Sequence, residues 1–153
     1  MITSYLLSSM VGIMLFFTVI VAPTVFKVLP VEWSSKYVRN FFPKYYATLG
    51  FITLVCVFTE TDSSNKALLA VCAVFFAFTL FYLTGKINNA KDNGRNRQFH
   101  FLHGASVVIN LFQLATFIYL LVKASWKKRS SVALLVRLRF IRIWFYVLWS
   151  AWL

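Results

Sequence analysis

His103, Ser106, Asn110 and Gln113 are separated by three, four and three residues, and His100 precedes them by three more. On an α-helix that spacing places them along one face. An imidazole, a hydroxyl and two amides in a row can hydrogen-bond a polar ligand or a lipid headgroup, hold an ion, or pass a proton at histidine. They can equally bond one helix to another. The other faces of that helix are apolar, with Val107, Val108, Ile109, Leu111, Phe112, Leu114 and Phe117. The stripe therefore runs through a segment suited to a membrane, where polar groups face the bundle rather than lipid.

Other chemistry is thinly represented. His100 and His103 offer two imidazole nitrogens, with Asp92 or Glu60 as candidate oxygens. A catalytic zinc site usually needs three protein ligands, so no metal site is expected. Two histidines on one helix do not ligate haem from opposite faces, and no cofactor is expected. The four acids lie in predicted loops without the pairing that acid–base catalysis needs. Ser8, Ser9 and Ser106 lack a Gly-x-Ser-x-Gly setting, and Gly94 and Gly104 are isolated rather than part of a phosphate loop. No catalytic residue is assigned. Cys56 and Cys72 each sit inside an apolar run and read as small buried hydrophobes.

The elements that position the stripe follow from composition. Of the 153 residues 60% are hydrophobic and 13% charged, and the mean hydropathy is +0.73. An average soluble domain carries about 25% charged residues. The balance excludes a disordered tail and points to a small polytopic helical membrane protein. The net charge is +12, but the bases lie between or beyond the apolar runs. That arrangement suits anionic lipid headgroups at the basic segments. Nucleic acid is excluded as a partner, because no zinc-finger spacing, RNP-like strand or free basic helix accompanies the charge.

Four apolar runs predict four crossings. The first, about Tyr5 to Phe26, is uncharged and too long for a signal-peptide core, so it reads as a retained helix. Pro23 near its end predicts a kink. Lys27 to Lys44 is amphipathic and predicts a separate helix lying at the interface. Pro43 then suits the first turn of a new helix, giving a second crossing to about Phe58. A polar turn follows, with Ser64 or Asn65 predicted to cap a third helix over Lys66 to Thr84. Gly85 to Gln98 is predicted as a polar loop, and Phe99 to Val122 as the fourth crossing. Gly12, four residues after Ser8, is a candidate for close helix approach, as are the small residues Thr53 and Cys56.

Residues 1–122 are thus expected to form an all-α four-helix transmembrane domain. Residues 123–153 are expected to form a basic, tryptophan-rich extension with Arg137, Arg139 and Arg142, lying as an interfacial helix rather than a fifth crossing. Loops one and three carry four bases each. The amino terminus, second loop and tail carry none, one and seven, so the charge rule balances with the tail counted. Without the tail, it places loops one and three in the cytoplasm and the amino terminus outside.

The order of several motifs resembles a known family. Gly12-Ile13-Met14-Leu15-Phe16-Phe17 is followed by Val21-Ala22-Pro23-Thr24-Val25-Phe26 and Leu29-Pro30. Phe41-Phe42-Pro43-Lys44-Tyr45-Tyr46 comes next, then Ile87-Asn88-Asn89-Ala90-Lys91-Asp92-Asn93-Gly94 and Phe99-His100-Phe101-Leu102-His103-Gly104-Ala105-Ser106. This order, across about residues 5–122, resembles the bacterial branch of the DUF4149 family, related to the animal TMEM205-like membrane proteins. The resemblance implies a four-helix integral membrane protein of the bacterial inner membrane without an assigned biochemical activity. Gly12, Pro23, Phe42, Pro43, Tyr45, Asn88 and Asp92 fall on its landmarks, and His103, Ser106 and Asn110 on its polar face. The chain departs from it after Val122.

The leading functional expectation is a non-enzymatic membrane protein that binds a small ligand or lipid, or supports transport, through the face at His103 and Asn110. The competing readings are an accessory subunit whose polar face locks helices together, and a small membrane enzyme. A second copy or another membrane protein is a candidate partner.

Overall fold

A computed structural model describes the backbone of residues 2–150 and the side chains of residues 2–127. It is all-α. The order is α1 (Ile2–Phe16), a π-helical turn (Phe17–Val21), α2 (Ala22–Val28), α3 (Val31–Thr59), α4 (Ser63–Phe78), a second π-helical turn (Thr79–Leu83), α5 (Thr84–Asp92) and α6 (Asn96–Ser150). The chain divides into one compact unit over Met1–Ile118 and a second over Tyr119–Leu153. The packing contacts and the site described below belong to the first. The expected interfacial placement of the tail, with its three arginines, lies outside the described side chains.

Four stretches are each long and apolar enough to cross a membrane: Ile2–Val28, Val31–Thr59, Ser63–Asp92 and Asn96–Lys127. The shortest has 27 residues, more than the roughly 20 needed for a 30 Å hydrocarbon core. Their outer faces carry large apolar side chains: Phe51, Phe58, Val74, Phe81 and Phe101 are each more than 60% exposed. In water such a surface would aggregate, whereas in lipid it is solvated. The chain is a multi-pass membrane protein.

Pro23 does not break the first span. The π-helical turn ends immediately before α2, so Pro23 falls in the first turn of that helix, where its missing N–H costs least. The wider turn closes with the Ala22 N–H donating to the Phe17 carbonyl. Thr24 Oγ1 donates back to the Ile20 carbonyl at 2.6 Å.

The predicted interfacial helix over residues 27–44 is not a separate element. A break at Leu29 and Pro30 is followed by one continuous helix of 29 residues, with Pro43 in its interior rather than at its start. Pro43 leaves the Arg39 carbonyl without its usual intrahelical donor. Ring contacts on both sides offset that loss. Phe41 stacks on Phe17 at 4.6 Å between centroids, and Tyr45 lies 5.1 Å from the same ring. Each such pair contributes about 0.5–1.5 kcal/mol.

Asp62, not Ser64 or Asn65, caps α4. Its Oδ1 accepts the Ser64 and Asn65 backbone N–H groups, both at 3.1 Å. The predicted loop over residues 85–98 is mostly helix, because α5 carries the third span on to Asp92. The real turn is short. Gly94 adopts a φ of +64°, Gly94 N–H bonds the Lys91 carbonyl, and Arg95 N–H bonds the Ala90 carbonyl at 2.9 Å. This six-to-one and five-to-two pairing is a Schellman end, which favours glycine at that position.

Thr3 and Thr59 hydroxyls meet at 3.2 Å, tying the start of α1 to the end of α3. Close helix approach occurs at Gly50, where an added Cβ would stand 3.2 Å from Phe76 Cβ. At Gly12 an added Cβ would meet nothing within 4 Å, so the expected close approach there is absent. Thr53 and Cys56 are fully buried on α3, and the Thr53 hydroxyl bonds the Leu49 carbonyl at 2.7 Å. Phe76 stacks with Phe117 at 6.4 Å, joining α4 to α6.

Candidate functional site

Three helical faces converge at the end of the bundle that holds the α2–α3 break and the Gly94 turn. On α3, Ser35, Val38, Arg39, Phe42 and Tyr46 recur at spacings of three and four. Thr84, Ile87, Asn88 and Lys91 do so along α5, and Phe99, His103 and Ser106 along α6. Together with Phe26 and His100, these residues line a cavity of about 360 Å³. Small-molecule sites begin near this size. Phe26, Val38, Phe42, Ile87 and Phe99 supply an apolar wall. Arg39, Lys91, both histidines, Asn88, Tyr46 and Ser106 supply polar groups.

Side-chain bonds fix the mouth. Arg39 grips Asp92 as a fork, with Nη1 donating to Oδ2 at 3.0 Å and Nη2 donating to Oδ1. This joins α3 to α5 between residues 53 apart in sequence. Lys91 Nζ donates to Ser35 Oγ at 2.8 Å and sits 5.6 Å above the Phe99 ring. Phe99 in turn stacks on His103, 5.8 Å between centroids and nearly parallel. Arg95 donates to Asn89 Oδ1 just outside. A polar segment thus becomes ordered helix because its side chains find partners on α3.

The predicted stripe on α6 divides by depth. His100, His103 and Ser106 reach the cavity. Ser106 Oγ also donates to the His103 carbonyl at 2.7 Å. Asn110 stands beside Tyr45 and Tyr46, and Ser106 also neighbours Tyr46. Gln113 is fully buried, and its Nε2 donates to the Cys72 carbonyl on α4 at 3.0 Å. Its role is interhelical.

The other landmarks separate in the same way. Phe42 and Asn88 line the cavity, and Asp92 holds Arg39 at its mouth. Tyr45 is buried in the cluster with Phe17, Phe41 and Phe42. Pro43 lies within α3, and Gly12 and Pro23 are not among the residues that line the cavity. Sequence reasoning missed Ser35, Arg39, Tyr46 and Lys91. Their helical spacing is the available signal, but Ser35 and Arg39 fall in the predicted interfacial helix, Lys91 in the predicted loop and Tyr46 at the start of the second apolar run. Among the described residues no group of three or more histidine, cysteine, aspartate or glutamate side chains is placed to hold a metal ion.

The chain belongs to the family described as domain of unknown function (DUF4149), which matches residues 5–96. That match covers α1 to α5 and ends where α6 begins. No curated protein and no solved structure matches the chain.

Proposed function

We propose that this DUF4149 member binds an amphiphilic small molecule or lipid, without catalysis, in the cavity between α3, α5 and α6. The observation that carries the reading is the lining itself. Two cationic side chains and two imidazoles stand against a wall of Phe26, Phe42, Ile87 and Phe99. A wholly polar ligand would leave the rings unused, and a wholly apolar one would desolvate the cations without replacing their partners. An amphiphile satisfies both halves.

The finer assignments belong to the same proposal. Bacterial inner-membrane placement and kinship with the TMEM205-like proteins rest on the resemblance in motif order, which continues into Phe99–Asn110 beyond the family match. Contact with anionic headgroups is supported by Lys36, Lys44, Lys86, Arg95 and Arg97 around this end, where Lys36 also lies 5.0 Å over the Trp33 ring. The accessory-subunit reading finds support deeper, at Gln113 and the Cys72 carbonyl. The two readings describe different halves of one stripe.

The test is native mass spectrometry of the full chain from mild detergent, with a panel of bilayer lipids and single-chain amphiphiles. Ile87→Trp fills the cavity without removing a polar group, and His103→Ala removes a polar lining group. Each is expected to reduce capture about tenfold, equivalent to 1.4 kcal/mol, with unchanged melting in detergent. Capture that survives both substitutions refutes the site. Turnover of a captured ligand by purified protein refutes the non-enzymatic reading.

A further inference from the structure

The charges around the cavity define the head of the ligand, granted the amphiphile reading above. Arg39 and Lys91 both line it. Arg39 directs two of its five N–H donors at Asp92. Lys91 gives one of its three ammonium protons to Ser35. Both cations therefore retain donors. Counted over these three side chains, two cations and one carboxylate leave one net positive charge at the site.

We propose that the site takes a lipid whose head is a phosphodiester bearing one negative charge, with Arg39 as a phosphate ligand and Asp92 as the latch that holds Arg39 when no head is bound. A phosphodiester shares one negative charge between two non-bridging oxygens and adds two ester oxygens, and a glycerol head adds hydroxyls. Arg39 and Lys91 can reach the first from separate helices, while Asn88 and His100 can meet the rest. A zwitterionic head brings a cation toward two like charges. A fatty-acid carboxylate has too few acceptors for this many donors.

The latch gives the pair an asymmetry that a simple strut lacks. Removing the arginine deletes the phosphate ligand. Neutralising the aspartate frees that ligand. The experiment is competitive native mass spectrometry of the full chain with equal phosphatidylglycerol and phosphatidylcholine. Wild type should favour phosphatidylglycerol about tenfold, the effect of one well-placed charge-assisted hydrogen bond. Arg39→Gln should bring the two lipids near parity, and Asp92→Asn should raise phosphatidylglycerol capture by about threefold or more. Lys91→Gln leaves the Arg39–Asp92 link in place and should also cut the preference, which keeps the test decisive if the link variants fail to fold.

Equal capture of both lipids by wild type overturns the proposal, as does weaker phosphatidylglycerol capture by a folded Asp92→Asn protein. Displacement of the lipid by millimolar inorganic phosphate would reassign the site to a soluble phosphate and overturn the lipid head. Preference for oleate over phosphatidylglycerol would overturn the phosphodiester. If a neutral single-chain amphiphile still binds in any of these cases, the cavity reading stands and the charge inference falls. If nothing binds, the cavity reading itself has failed.

Discussion

Removing a hydroxyl from the core should stabilise this protein at one tyrosine and leave it nearly unchanged at the next. Tyr45 is 5% exposed, and its hydroxyl is buried with no hydrogen-bond partner. Asn110 stands nearby without meeting hydrogen-bond geometry at Tyr45. The ring is enclosed by Phe17 at 5.1 Å, Tyr46 at 5.4 Å and Phe41 at 5.8 Å. An unsatisfied buried hydroxyl costs about 1–3 kcal/mol in desolvation. Tyr45→Phe keeps every ring contact and deletes that cost. Taking the lower end, it should gain about 1 kcal/mol, roughly a fivefold shift in the folded-to-unfolded ratio. Tyr46 is 6% exposed, but it lines the cavity, and its hydroxyl is not a buried atom left without a partner. Tyr46→Phe should therefore gain little, staying within about 0.5 kcal/mol of wild type. Denaturation in mixed micelles, followed by helical circular dichroism, measures both. A Tyr45→Phe protein less stable than wild type by more than about 0.5 kcal/mol would refute the reasoning and place the hydroxyl in a bond with Asn110.

Three further outcomes use the same preparation. Gln113→Leu removes the bond to the Cys72 carbonyl while filling similar space, and should cost about 0.6–1.7 kcal/mol in the micelle titration; no loss would mean that the amide does not join α6 to α4. Gly50→Val pushes a side chain into Phe76 and should cost about 1–3 kcal/mol, whereas Gly12→Val should change little; equal effects at both would place the close approach elsewhere. Cys56 and Cys72 have no exposed surface, so the wild-type thiols should resist a membrane-impermeant maleimide in intact cells. Against that background Ser63→Cys and Asn93→Cys should label from opposite sides, with Asn93 cytoplasmic, and labelling from one side would remove a crossing.

Which parts of this arrangement show in the sequence depends on what each residue meets. The four crossings are visible because lipid and protein interior make the same demand on side chains. An apolar residue satisfies both, so runs of them mark the spans wherever they face. The helix ends are hidden for the converse reason. Lys86 to Asp92 reads as a loop by polarity, yet it is helical, because Arg39 and Ser35 supply partners on another helix. Pro43 reads as a start, yet the helix runs through it where Phe17 anchors the rings on either side. These two errors share a cause, since each segment's conformation is decided by contacts from residues distant in sequence.

The same cause explains why only one wall of the site was legible. Ser106 and Gln113 are polar residues in an apolar run, so the 3–4 spacing stands out against its background. Arg39 and Lys91 have the same spacing within polar segments and disappear into them. Spacing also fails to distinguish the two ends of the stripe. Gln113 bonds a backbone carbonyl, which any residue at position 72 would present, so no partner side chain betrays its structural role. Ser106 reaches a cavity whose other walls come from α3 and α5. A polar stripe in a membrane helix is therefore incomplete evidence for a site. What turns its outer half into one is the extension of α3 and α5 beyond their apolar runs, which brings Arg39 and Lys91 to the same cavity as the imidazoles.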